Sequence, residues 1–203
     1  MALSRNRLFD QFERIFNVQK SPEVKSIPQC GSLLTDAIVQ YLGSAKLSGL
    51  KVPGIGLIPA GISPVPGPDP MFAAVAGRPM NPVTPASSNS SIIRSGLVSA
   101  MQSNITGVDR FSTADSAFAT YVVSTYTTFS IGHYIATGAS VPGPINLSSV
   151  LGVQYDSSEE IASKLADHIH RFFTSCVFTG VATGTGPPIG PFTTPGPHVG
   201  KLQ

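Results

Sequence analysis

The chain has 203 residues, of which only 12% are charged, and its formal net charge is +2. Ordinary soluble domains carry about 25% charged residues, and a freely diffusing monomer relies on such a surface to stay soluble, so the deficit points to a surface covered by partners or, alternatively, to a secreted or β-rich domain with a Ser/Thr surface. The near-neutral balance argues against a nucleic-acid groove, which needs a dense basic patch interleaved with aromatics.

Seven of the thirteen basic residues (Arg5, Arg7, Arg14, Lys20, Lys25, Lys46 and Lys51) lie in the first 51 positions, but Asp10, Glu13, Glu23 and Asp36 leave that stretch at only +3. No apolar run approaches the roughly 18 residues of a membrane-crossing helix, and MALSRNRLFDQFERIF lacks the apolar core of a secretory leader. No membrane partner and no sequence-specific nucleic-acid contact are therefore expected. The two cysteines, Cys30 and Cys176, lack CxxC spacing and read as free thiols of a reducing compartment.

Residues 4–18 predict an amphipathic helix. Leu8, Phe12 and Ile15 recur at helical spacing, and Phe9 and Phe16 widen the stripe. Ser4 is placed to cap it, and Pro22 lies past its end. Two roles are open: a terminal helix packed on its own core, and a docking helix whose partner contacts are Phe9, Phe12 and Phe16.

From residue 32 onward three segments share one order of features. TDAIVQYLGSAKLSGLKVPGIGLIPAGISPVPGP contains Asp36, ADSAFATYVVSTYTTFSIGHYIATGASVPGP contains Asp115, and ADHIHRFFTSCVFTGVATGTGPPIGPFTTPGP contains Asp167. In each, the Asp opens an apolar helical face carrying an aromatic five or six residues on (Tyr41, Tyr121, Phe172 or Phe173). A glycine-punctuated stretch of β-type residues follows, closing on Pro-Gly-Pro at Pro66, Pro142 and Pro195, which lie 30, 27 and 28 residues beyond the Asp. Proline lacks the N–H and restricts its predecessor, so each triplet ends an element and redirects the chain. One such unit is too small to bury its apolar face, and repeated units must stack. Pro66, Pro142 and Pro195 are therefore further candidate partner contacts.

Helices are expected near 4–18, 33–45, 91–103, 111–127 and 158–175. Buried stripes are Ile92, Ile93, Leu97 and Met101; then Ala114, Phe118, Tyr121, Val122 and Thr125; then Leu165, Ile169, Phe172 and Phe173. Phe129, Ile131, Tyr134 and Ile135 alternate weakly as strands do. Ser157 or Ser158 caps the last helix, with Glu159 and Glu160 favourable in its first turn. The fold class expected is α+β: repeated helix–β-hairpin units with Pro/Gly-rich extended arms. The divisions are 1–31 as helix and lead-in, 32–68 as first unit, 69–90 as Pro/Ser-rich linker, 91–144 as second unit, and 145–203 as third unit with its tail. The second and third units, from 111 and 158, should match best. The segments 50–90 and 176–203, rich in Pro and Gly, are the expected arms.

No catalytic, cofactor or metal site emerges. His168 and His170 flank Ile169 and point about 200° apart on a helix, so they cannot share a metal. His133 has no nucleophile elbow near it, and His198 lies in the tail. Asp156, Glu159 and Glu160 lack the order of a calcium loop and suit a helix N-terminus instead. GIGLIPAG and GVATGTGPPIG lack the Lys-Ser/Thr ending of a phosphate loop and read as turns and bulges at strand ends.

The succession of helix, Gly/Thr-rich strand and Pro-Gly-Pro, ending in GTGPPIGPFTTPGPHVGKLQ, resembles small virion structural proteins of tailed bacteriophages. Baseplate or neck components of contractile-tailed phages are most similar. The resemblance covers 32–203 in style and transfers no catalytic residue. It implies a non-enzymatic, multi-copy subunit of a tail, baseplate or neck, made in the host cytoplasm and incorporated in the virion. Such a subunit joins other virion structural proteins and forms a homo-oligomer within a ring or shell. The alternative is a capsid-associated or surface module recognising a receptor or carbohydrate.

Overall fold

The computed structural model describes residues 3–17, 26–45, 47–48, 89–103, 108–127, 130–131, 134–186, 190–193 and 198–202. In chain order these form α1 (Arg5–Phe16), α2 (Ile27–Leu42), β1 (Leu47–Ser48), α3 (Ser90–Gln102) and a 3-10 turn (Val108–Phe111). Then come α4 (Ser112–Tyr126), β2 (Ser130–Ile131), β3 (Tyr134–Ser140), α5 (Ser148–Leu151), α6 (Ser158–Ser175), β4 (Val177–Gly186), β5 (Gly190–Thr193) and β6 (His198–Leu202). The architecture is α+β, a helical layer joined to an antiparallel sheet.

Serine hydroxyls start three helices by accepting an otherwise unpaired backbone N–H. Ser4 accepts from Arg7 at 3.3 Å, Ser26 from Gln29 at 3.3 Å, and Ser157 from Glu160 at 3.1 Å. Glu159 and Glu160 occupy the first turn of α6, at the positive end of its dipole. α6 spans the residues expected of it, and Leu165, Ile169, Phe172 and Phe173 are buried as its apolar stripe requires. In α4 the expected stripe Ala114, Phe118, Tyr121, Val122 and Thr125 is buried in full.

The helix expected from residue 33 starts earlier, at Ile27, so the division between 31 and 32 falls inside α2. Pro28 and Gly31 are residue types that disfavour a helix interior, yet here each has a use. Pro28 sits in the first turn, where its missing N–H breaks no helical bond. Gly31 lies where α2 meets α3, and a Cβ there would stand 2.5 Å from Val98 Cγ2. Gly96 does the same between α3 and α4, where a Cβ would lie 2.4 Å from Ala117 Cβ. Asp36 and Asp167 lie inside α2 and α6 rather than opening them; of the three Asp residues only Asp115 sits in a first turn.

The helices neighbour one another in the order α4, α3, α2, α1, α6, with α1 lying chiefly on α6. The sheet runs β1-β6-β4-β3-β2, and β5 pairs the far end of β4. All pairings are antiparallel, with Leu47 opposite Leu202, Phe178 opposite Gly200 and Ala139 opposite Phe178. The β3–β4 register shifts between Ala136 and Gly138, which makes Thr137 the extra residue of a bulge. The tail 176–203 was expected as an arm. Its described residues instead form β4, β5 and β6, inside the chain's own sheet. GVATGTG, expected as turns and bulges at strand ends, forms the C-terminal seven residues of β4, ending at Gly186.

One cluster of buried apolar side chains runs from Leu3 to Leu202 and includes residues of every described helix. At its centre α4, α6 and β4 meet through aromatic rings. Phe118 meets Phe172 edge-on at 6.1 Å, Tyr121 meets Phe173 at 6.3 Å, and Tyr126 meets Phe178 at 4.9 Å. Each such pair contributes about 0.5–1.5 kcal/mol beyond its burial.

Candidate functional site

α6 presents His168, Arg171, Phe172 and Ser175 at i, i+3, i+4 and i+7, which places them on one face of the helix. Opposite them stands the turn that follows β3, with Pro142, Pro144 and Ile145. These seven side chains line an open groove of about 240 Å³. Phe172 and Ile145 are buried, at 5% exposure each, while Pro142, Pro144, Arg171 and Ser175 are exposed. The groove is thus apolar in its depth and cationic at its rim.

The turn is built by its sequence. Gly143 has φ 142°, in the left-handed half that favours glycine, and Asn146 has φ 58°. The Asp115 carboxylate accepts from the Leu147 N–H at 3.0 Å and from the Asn146 N–H, tying the turn to α4. Burial raises the Asp115 pKa, and the two backbone donors oppose that rise. On the far side, Ser149 Oγ donates to the Asn146 carbonyl at 2.8 Å and lies 3.1 Å from His168 Nε2. His168 Nδ1 lies 3.1 Å from the Lys164 carbonyl and donates to it. His168 therefore fastens α6 to α5, and the groove wall is held from both sides.

His170 faces elsewhere. Its Nδ1 shares a hydrogen bond of 2.7 Å with Tyr41 Oη, at the contact of α2 with α6, and burial chiefly holds its pKa below the usual histidine value. The two histidines point apart, as their spacing requires. Arg5 joins α1 to α6 by bonding Asp167 Oδ1 at 2.8 Å and Ser163 Oγ at 2.6 Å, with its guanidinium 5.5 Å from the Phe9 ring. The Arg5 bond holds the Asp167 carboxyl below the usual carboxylate range. Asp36 pairs with Arg94 at 3.5 Å. The three Asp residues of the proposed units thus do three different structural jobs.

Of the candidate contacts, Pro142 forms part of the groove. Phe12 is completely buried in the chain's own core and so is not open to a partner. Phe9 and Phe16 are half-buried; Phe9 lies under Arg5 and Phe16 against Phe12 at 6.5 Å. Pro66, Pro195 and His133 lie outside the described residues. Arg171 and Ser175 escaped the sequence reading, although their spacing from His168 and Phe172 was the available signal. Cys30 and Cys176 are free thiols; burial pushes Cys176 up to about 12 and raises Cys30. Among the described residues no three His, Cys, Asp or Glu gather as a metal site, and no helix is long and apolar enough to cross a membrane.

No family model matches the chain, and no curated protein or solved structure matches it.

Proposed function

We propose that the chain is a non-enzymatic structural subunit of a tailed-phage virion, in the tail, baseplate or neck, that works by joining neighbouring subunits. The observation that carries this reading is the apolar groove with a cationic rim on a chain with only 12% charged residues. Its supports are the large apolar side chains left exposed: Ile27 and Leu33 at 40%, Val123 at 42% and Val153 at 52%. Scattered exposed apolar residues are ordinary. Combined with sparse charge and a preformed groove, they favour a surface made for other protein surfaces.

The repeated-unit reading is part of the proposal. Three times in chain order a helix leads into β structure, from α2 to β1, from α4 to β2 and β3, and from α6 to β4. The segment 50–90 is proposed as the arm that reaches a neighbour; residues 50–88 lie outside the described residues. Quantitative mass spectrometry of purified particles tests the reading. The chain should be present at a fixed copy number that survives salt washing. Its absence from particles overturns the proposal.

A further inference from the structure

The exposed residues of α6 form a stripe. Glu160, Lys164, Arg171 and Ser175 are all exposed, and their spacing of four, seven and four places them on one side of the helix. The stripe is polarised. At its N-terminal end stand Asp156, Glu159 and Glu160, all exposed. At its C-terminal end stand Arg171 and His168, on the rim of the groove. Just before the acidic end lies Val153, at 52% the most exposed large apolar side chain among the described residues.

The groove, at about 240 Å³, is smaller than the roughly 300 Å³ at which small-molecule sites begin. It has room for an aliphatic side chain rather than for a cofactor. Asp167 lies within electrostatic reach of Arg171 and His168 but is bonded to Arg5, so the rim suits a further acid, and exposed acids with an exposed valine are on the same molecule. Glu160 and Arg171 cannot pair with each other within one helix. Glu160 and Arg171 are eleven residues apart on α6, about 16 Å along the axis.

We propose that two copies of this chain pair antiparallel along the α6 stripe, each placing Glu160 against Arg171 of the other and directing Val153 toward the other's Pro142–Phe172 groove. The pairing is isologous, so both contacts form twice about one two-fold axis. Antiparallel alignment also sets the dipole of each α6 against that of its mate. The inference rests on the reading of the groove as an assembly contact and names its occupant as a second copy. A two-fold dimer is then the building block from which a larger assembly is made.

Sedimentation velocity on the full chain over a concentration series, at low and high salt, tests it. The wild type should dimerise, less tightly at high salt. Arg171→Glu and Glu160→Arg should each weaken the dimer about tenfold or more, because each places like charges together twice. Mixed in equal amounts, the two variants should dimerise again, since one contact is then native and the other charge-reversed. Val153→Ser should weaken the dimer without changing its salt dependence. These residues are exposed, and unchanged circular dichroism checks that each variant folds. Association unaffected by both charge reversals overturns the pairing while leaving the assembly reading intact. A wild type that stays monomeric throughout also overturns the pairing, and the particle measurement then decides the broader reading independently.

Discussion

At the residue scale, the polar side chains act as fasteners between elements, and three of them couple the fold to pH. Tyr41 Oη and His170 Nδ1 share a hydrogen bond of 2.7 Å. Burial, the largest influence, favours the neutral ring and lowers the His170 pKa from 6.5, with Asp167 raising and Arg5 lowering it. Between the lowered folded value and 6.5 the unfolded chain binds more protons than the folded one. Stability from this site is therefore complete above the ordinary histidine range and falls as pH drops through it. Asp167, lowered by its bond to Arg5, adds a loss of the same sign below 3.8. Asp115, raised by burial, acts in the opposite sense, since its protonation is easier in the folded state. Urea midpoints measured from about pH 7 to about pH 5 should decline for the wild type, and His170→Gln should flatten that decline. An identical slope in the variant would assign the decline to other groups.

At the element scale, the close approach of α2, α3 and α4 depends on two glycines. Val98 Cγ2 occupies the space beside Gly31, and Ala117 Cβ that beside Gly96. Glycine inside a helix ordinarily costs about 0.5–1 kcal/mol relative to alanine. Here the methyl group would strike a branched side chain, and overpacking of this kind costs about 1–3 kcal/mol. Gly31→Ala should therefore lower stability in denaturant titration, although helix propensity alone predicts the reverse. Adding Val98→Ala should recover the propensity gain in part; if Gly31→Ala is stabilising by itself, the helices do not approach as described. The same glycine explains what was legible in the sequence. α6 could be read in full because its cap, its first-turn acids and its apolar spacing agree. The start of α2 could not, because Pro28 and Gly31 look like punctuation until the neighbouring helix is known. Arg171 in the groove was equally hidden, since its importance comes from Pro142 and Pro144 across a turn.

At the scale of the whole molecule, the tail is the instructive difference. Its Pro and Gly content suggests an arm, yet β6 returns to pair with both β4 and β1, and Leu202 is buried at 1% exposure. Strand pairing is non-local, so the partner that orders His198–Leu202 cannot be found in the five residues themselves. With β6 already bound within the chain, the proposed contacts of the described residues are the folded groove and stripe of α6. Hydrogen exchange on the full chain at low and high protein concentration tests this most directly. Amides of β6 that pair with β4 should be protected at both concentrations. Residues 141–147 and 168–175 should gain protection only at high concentration. A β6 that exchanges freely in the dilute chain, or a groove whose protection ignores concentration, would contradict the account.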